Sequence, residues 1–301
     1  MANVFGSMVE AIGNTPLVHF RCDEVKGARI LVKLESLNPT GSIKDRAGIQ
    51  LIRNAIANGR LTPGRVILDA SSGNMACALA YFGRMLGFEV KVICNTKLTE
   101  DKRGFIRYFG ADLEVFGDIT IEGNRRCAEL AAADDRLCFM DQLHDQANPQ
   151  ASFETLGPEI LRDVPKVAAV VGSMGSGGSM CGVGRYLRAN EPSTLVFTAQ
   201  AASGTKIPGT GAFIDGDYVT PFINELRDTP LYHDTFMVDQ PSAELRTRQM
   251  ADQGIFTGFQ GGGVVHTALE AIKKHGINGD VVAIIGDSGW KNMDKLKAVR
   301  A

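Results

Sequence analysis

The sequence predicts an α/β protein built on a mostly parallel sheet, or on two such sheets. Two observations carry this. Short, nearly continuous β-branched runs recur along the 301 residues, as strands buried on both faces require. Helix-length stretches with apolar residues three and four apart separate them, and that alternation is the pattern of parallel crossovers.

The first run is RILVKL (29–34). The loop NPTGSIKDR (38–46) then leads into a helix, DRAGIQLIRNAIANG, in which Ile49, Ile52 and Ile56 share a face and Gly59 supplies the stop. RVILDA (65–70), EVKVIC (89–94) and DLEVF (112–116) alternate with helical stretches at 74–87, 99–110 and 122–133. A helix at 151–162 precedes KVAAVV (166–171), and a helix at 178–189 precedes TLVFTA (194–199). Helices at 242–253 and 264–275 lead to the last run, DVVAII (280–285). No repeat or low-complexity linker interrupts the pattern.

Composition narrows the function classes. Hydrophobic residues make up 44% and charged residues 22%, an ordinary soluble mixture. A net charge of −2 leaves no basic surplus to neutralise phosphates, so neither nucleic acid nor an anionic membrane is expected as a partner. No apolar run reaches membrane-spanning length, and MANVFGSMVEAIGNTP lacks a basic region followed by an apolar block, which points to a cytoplasmic protein. Cys22, Cys77, Cys94, Cys127, Cys138 and Cys181 are scattered, with no C-x-x-C pair or histidine at ligand spacing. Buried thiols in a reducing compartment are expected, and no metal.

In parallel α/β units the turns after strand C-termini bind ligands, so three turns deserve reading. In DASSGNMA (69–76), Ser71, Ser72, Gly73 and Asn74 place hydroxyls, an amide and backbone N–H donors at a helix start, which suits a carboxylate or phosphate. A plain N-cap has the same composition. GSMGSGGSMCGVG (172–184) puts Gly175, Gly177 and Gly178 beside Ser176 and Ser179, a phosphate cradle without the Lys-Ser/Thr ending of a nucleotide P-loop. IIGDSGWKN (284–292) sets Asp287 and Ser288 at the end of the last strand. One lysine at a helix start, Lys44, completes the set. These features fit pyridoxal 5'-phosphate better than a nucleotide, because that cofactor needs an amine for a Schiff base, donors for one phosphate and a partner for its ring nitrogen.

The residues then carry a resemblance. The chain resembles the cysteine synthase group of pyridoxal-phosphate enzymes (fold type II, the β-family), which includes the O-acetylserine and O-phosphoserine sulfhydrylases and cystathionine β-synthase. The blocks are IGNTPLV (12–18), KLESLNPTGSIKDR (33–46), SSGN (71–74), ANP with ETLGPEI (147–160), GSGGS with GVGRYL (175–187) and DSGW (287–290), in family order and nearly end to end. The resemblance implies two three-layer α/β domains with mostly parallel twisted sheets, tryptophan synthase β-like. Residues 1–36 and 146–301 would form the larger, phosphate-binding domain, and 37–145 a smaller mobile domain closing over the substrate.

Carried over, Lys44 is the Schiff-base lysine and the acid/base. Asn74 bonds the cofactor's 3′-oxygen, Gly175, Ser176, Gly177, Gly178 and Ser179 hold its phosphate, and Ser288 faces the pyridine nitrogen. Ser71, Ser72 and Gln142 bind the amino-acid carboxylate. The implied activity is a transferase reaction, a β-replacement that converts O-phosphoserine or O-acetylserine through an aminoacrylate to cysteine, in cysteine biosynthesis. A serine at the ring nitrogen, unlike an aspartate, does not favour a pyridinium, which suits elimination of a good leaving group. The implied partners are a small amino acid, a thiocarboxylated sulfur-carrier protein as donor and a second copy in a homodimer.

Three departures cluster around the substrate. The usual TSGNTG is SSGNMA, so Met75 replaces a hydroxyl donor whose charge-assisted bond contributes about 1.5–3 kcal/mol. The usual GISSG is GFQGG (258–262), which introduces Gln260, and AQAASGTKIPGTGAF (199–213) is shortened. GIFTGFQGGGVVHTAL (254–269) and DSGWK (287–291) look more like the O-phosphoserine-using branch, with Lys206 or Arg246 as candidates to meet a phosphate. The alternatives are β-replacement by an amine or another thiol, cystathionine β-synthase-like activity, and a silent scaffold, which would have no need of Lys44, Asn74 and Ser288. A dinucleotide-binding dehydrogenase is disfavoured by the missing ribose acid.

Overall fold

The computed structural model describes residues 4–297. In chain order the elements are β1 (Leu17–Phe20), β2 (Ala28–Leu34), α1 (Lys44–Ala57), β3 (Val66–Ser71), α2 (Asn74–Met85), β4 (Glu89–Cys94) and α3 (Glu100–Tyr108). Next come β5 (Asp112–Val115), α4 (Thr120–Ala133), β6 (Leu137–Phe139), α5 (Ala147–Ala151), a π-helical segment (Ser152–Leu156), α6 (Gly157–Asp163) and β7 (Val167–Ser173). The chain continues through α7 (Gly178–Asn190), β8 (Leu195–Ala201), α8 (Pro221–Asp228), β9 (Asp234–Val238), α9 (Gln240–Asp252), α10 (Phe259–His275), β10 (Gly279–Ile285) and α11 (Met293–Lys297). It divides into two compact units, one of Lys44–Asn148 with the segment ending at Ile12, the other of Gly13–Ile43 with the chain from Pro149 onward.

The first unit holds a four-stranded parallel sheet in the order β5-β4-β3-β6. Side chains alternate across β3. Leu68 and Ala70 pack with Ile93 and Cys127 of α4, while Ile67 faces α2. There α2 lies flat on the sheet because position 83 is glycine; a Cβ would fall 2.3 Å from Val90 Cγ2 and 3.2 Å from Ile67 Cδ1. Alternation therefore puts Asp69, fully buried, on the α2 side as well.

The second unit holds a six-stranded sheet ordered β1-β2-β10-β7-β8-β9, parallel except for β1. Both faces are covered, which gives three layers. Ile30, Val32, Val171, Phe197 and Ala283 pack under α9 and α10, and Val170, Val196, Val282 and Ile284 under α6, α7 and α8. The fold class read from the sequence is the one observed.

Details differ. β1, β6, β9 and α8 lie where no element was expected, and Ile56, assigned to the buried face of α1, is 43% exposed while Ile52 is buried. The single helix expected at 151–162 is broken into α5, the π-helical segment and α6. That break comes where α7 crosses closely: a Cβ on Gly182 would fall 2.0 Å from the carbonyl oxygen of Pro149. The helix expected from 264 begins at Phe259, so GFQGG belongs to its first turn. Of the six free cysteines, five are buried and Cys22 is half-buried. Among the described residues no helix is long and apolar enough to cross a membrane.

A buried polar network runs through the second unit. Lys33 on β2 is fully buried, 2.8 Å from Glu159 of α6, and donates to the carbonyl of Thr15. The Thr15 hydroxyl donates to Glu35 (2.6 Å), Asn38 donates to the other oxygen of Glu35 (2.9 Å), and Gly13 N–H donates to Asn38 Oδ1 (2.8 Å). Gly13 and Asn14 both take positive φ, 84° and 47°, which bends the chain back onto this network. Thus IGNTPLV and the start of NPTGSIKDR are one structural feature.

Candidate active site

Lys44 opens α1. Upstream, Gly41 (φ 85°) turns the chain with its N–H on the Asn38 carbonyl (2.8 Å), as expected of a Pro-Thr-Gly turn. Residues 41–43 then pair with 286–288 in the second unit: Ile43 N–H donates to Gly286 O (2.9 Å) and Ser288 N–H to Gly41 O (3.2 Å). The residue before the lysine is thereby fixed to the end of β10.

Within the first unit, Gly48, one turn into α1, touches α2. A Cβ there would lie 3.0 Å from Ala78 Cβ and 3.6 Å from Met75 Sδ, so the first turns of α1 and α2 lie side by side. Lys44 and the SSGN turn are thus neighbours. Burial lowers the Lys44 pKa from 10.5 to about 8, partly opposed by Asp69. A lysine so placed exchanges its proton near neutrality, whereas an exposed one does not.

The SSGN turn has a definite shape. Gly73 has φ 137°, closed to other residues, and its N–H donates to Ser71 Oγ (2.9 Å). Ser71 is buried and Ser72 exposed; half-buried Asn74 starts α2. The stem of Lys102 crosses Gly73, where a Cβ would fall 2.6 Å from its Cδ. Gln142, 4% exposed, donates to Ala70 O (2.6 Å) and its own carbonyl accepts from Asn148 (2.6 Å), which places its amide at the end of β3. Met75 does not present its thioether to the turn. It is 1% exposed and packed against Gly48, so what position 75 offers an anion is the backbone N–H of a helix's first turn.

The second unit supplies the glycine-rich loop. Gly177 (φ 81°) precedes α7, and its Cβ would fall 2.6 Å from Ile223 Cγ1, while one on Gly175 would fall 3.0 Å from Gly209 O. Thr220 Oγ1 donates to Ser176 O (2.6 Å), which ties the loop to the start of α8. Half-buried Ser288 caps the short turn 289–292, its Oγ accepting from Trp290 N–H (3.4 Å). Gln260 is 7% exposed and bridges Ser173 Oγ (2.6 Å) and Gly286 N–H (2.9 Å). Of the two phosphate candidates, Arg246 is taken up by Glu24 and Gln249, whereas Lys206 is exposed.

These donor sets suit pyridoxal phosphate. A loop in which added Cβ atoms would clash, leading into the N-terminus of a thirteen-residue helix, is built for a phosphate, and Lys44 is an amine that loses its proton readily. Within the second unit Gly175–Ser179 would hold the phosphate and Ser288 would meet the ring nitrogen; Lys44 and Asn74 belong to the first unit. Bound there, the cofactor supplies an electron sink for bond breaking at the substrate's α-carbon.

One residue of the site was not singled out from sequence. Asp69 is fully buried on β3 and its pKa is raised well above the carboxylate value of 3.8, by burial first; Asp141 adds to this, and the amides of Ala70 and Gln142 and the Lys44 charge oppose it. A lone acid in VILDA was the available signal. Because the folded pKa lies above the unfolded one, near 4, the group lowers stability progressively as pH rises from there. Asp69→Asn is therefore expected to raise the urea midpoint of the cofactor-free protein at pH 7.5 and to leave it unchanged near pH 3. An equal shift at both pH values would mean that the effect is packing and not protonation.

Comparison with known proteins gives the family. The family model described as "Pyridoxal-phosphate dependent enzyme" matches residues 8–287. Cysteine synthase B of Salmonella typhimurium is 34% identical over 94% of this chain and 93% of its own length. O-ureido-L-serine synthase of Streptomyces lavendulae is 30% identical, covering 95% and 90%. Among solved structures, O-ureido-L-serine synthase superposes with a TM-score of 0.88 at 27% identity, covering 97% of this chain and 94% of that one. A hydrogen sulfide-producing enzyme from Fusobacterium nucleatum gives the same TM-score, 0.88, and identity, 27%, over 97% and 99%. The chain belongs to the pyridoxal-phosphate dependent enzymes, as a cysteine synthase-like transferase of fold type II that uses pyridoxal 5'-phosphate.

Proposed function

We propose that this enzyme replaces the β-substituent of an activated serine, O-phosphoserine or O-acetylserine, with sulfur to make cysteine. The observation that carries this reading is the Lys44 amine, lowered to about 8 at the start of α1 beside the SSGN turn. In this reading Ser71, Ser72 and Gln142, with the backbone N–H of Met75, take the substrate carboxylate. Lys44 removes the α-proton as the acetate or phosphate leaves the β-carbon, and returns it after the nucleophile has added. Ser288 remains neutral at the ring nitrogen and limits the electron sink to what elimination needs. The sulfur comes from sulfide or a thiocarboxylated carrier protein, and the enzyme works as a cytoplasmic homodimer.

A second reading, addition of an amine or another thiol, is favoured by the printed name of the O-ureido-L-serine synthase relative, which names a product other than cysteine. The test is a matrix of the two activated serines against sulfide, a thiocarboxylated carrier and small amines, read by product mass. Cysteine from sulfide or carrier is the expected result. An amine adduct without cysteine selects the second reading, and no replacement product in any combination sinks both.

A further inference from the structure

Gln260 sits in the first turn of α10, 7% exposed, with both ends of its amide engaged. Nε2 donates to Ser173 Oγ at 2.6 Å, and Oε1 accepts from Gly286 N–H at 2.9 Å. Each partner ends a strand: Ser173 closes β7 two residues before Gly175, and Gly286 follows β10 two residues before Ser288. The two strands are neighbours, with Val171 opposite Ala283. The backbone is drawn close around the amide. A Cβ on Gly286 would fall 3.1 Å from Nε2 and 3.2 Å from Oε1, and one on Gly209 would fall 3.7 Å from Cγ. The opposite side of Gly286 accepts from Ile43 N–H (2.9 Å), the residue before Lys44.

We propose that Gln260 is a positioning residue that locks the phosphate loop to the Ser288 segment, and that it is not a contact of the amino-acid substrate. The proposal rests on the reading that Gly175–Ser179 take the cofactor phosphate and Ser288 its ring nitrogen. A rigid cofactor meets both groups only if their spacing is held, and an amide that donates at one strand end and accepts at the other holds it. Shortening the side chain by one carbon, as in Gln260→Asn, removes the reach. Truncation leaves the Gly286 N–H buried without its acceptor, so the segment must shift to find another.

The test compares wild type, Gln260→Asn, Gln260→Ala and Ser173→Ala, the last cutting the same bridge from its other end with a smaller change of volume. Cofactor-free protein is titrated with pyridoxal 5'-phosphate, and the 31P resonance of the bound phosphate is recorded. The expected result is a cofactor Kd raised about tenfold or more, as loss of a buried hydrogen bond implies. A displaced 31P resonance should accompany it, with KM for the activated serine at saturating cofactor within about threefold of wild type. An unchanged cofactor Kd with a raised KM overturns the proposal, because Gln260 would then touch substrate. A lower melting temperature with an unmoved 31P resonance and unmoved Kd also overturns it, as a purely structural role. The titration needs no turnover, so a wild type that binds cofactor but forms no replacement product fails the proposed function alone. A wild type that takes up no cofactor fails both.

Discussion

Replacing Lys44 with alanine is expected to cut turnover by about 10²–10⁴-fold, the range for loss of a positioned acid/base, while making the cofactor-free protein more stable near neutral pH. The two effects have one origin. Burial lowers the lysine from 10.5 to about 8, so at pH 7 the fold encloses a charge that the unfolded chain exposes to water. A shift of that size corresponds to on the order of 3 kcal/mol, present as destabilisation below about pH 8 and relieved as pH rises toward 10.5. Lys44→Ala removes that cost together with the function, the usual relation between a strained site and its scaffold. Urea midpoints of cofactor-free wild type and variant at pH 7 and pH 10 check the stability half; the gap between them should narrow at the higher pH. Capture of pyridoxal phosphate by the wild type should rise about tenfold per pH unit up to about pH 8 and level off. A rate that keeps climbing through pH 10 would mean an ordinary lysine, and the reading of Lys44 would fall.

Why the sequence was legible at Lys44 and less so at Gln260 follows from where the information lies. NPTGSIKDR, SSGN and GSGGS are local: each turn needs its glycine at a particular φ, and each precedes a helix whose periodicity marks the start. The strands buried on both faces announce themselves as continuous apolar runs. β9, DTFMV, does not, because it is an edge strand with one face half-exposed. The three glycines after Gln260 precede the helix expected from 264, yet they lie inside α10. A Cβ on Gly262 would fall 2.1 Å from Ala243 O, and one on Gly261 would fall 2.2 Å from Thr257 Oγ1. They are helical because α9 and Thr257 come so close, a tertiary cause that local propensity cannot show. The side chain of Met75 is a related case. Its place in the motif suggested a substrate contact, but which side of α2 faces α1 was settled by Gly48. Asp69 was visible as an acid in an apolar strand, and only the enclosing layers, by burying it, raise its pKa above the ordinary carboxylate value.

Lys33→Met is expected to cost about 3–5 kcal/mol of stability, the range for breaking a buried ion pair by removing one partner. Lys33 is fully buried against Glu159 at 2.8 Å, with Asp163 at 3.8 Å, so the loss takes the Lys33 cation away from a buried carboxylate. By contrast, Lys274→Met at the exposed Lys274–Asp234 pair, also short at 2.7 Å, should cost no more than about 1 kcal/mol, since solvent screens it. Contact distance alone would rank the two alike; burial separates them. The double variant Lys33→Met/Glu159→Met should recover most of the loss, because methionines fill similar volume without a charge to desolvate. Urea midpoints of the three variants decide the matter. A Lys33→Met loss below about 1 kcal/mol, or a double variant no better than the single, would show that the pair is not what holds α6 to β2. The functional consequence is specific as well. Lys33 also donates to Thr15, Thr15 to Glu35, and Asn38 to Glu35, so the network ends at the turn six residues before Lys44. If it sets that turn, the single variant should capture cofactor more slowly even under conditions where it remains fully folded, and the double variant should not regain the wild-type rate, because the donor to Thr15 is still missing.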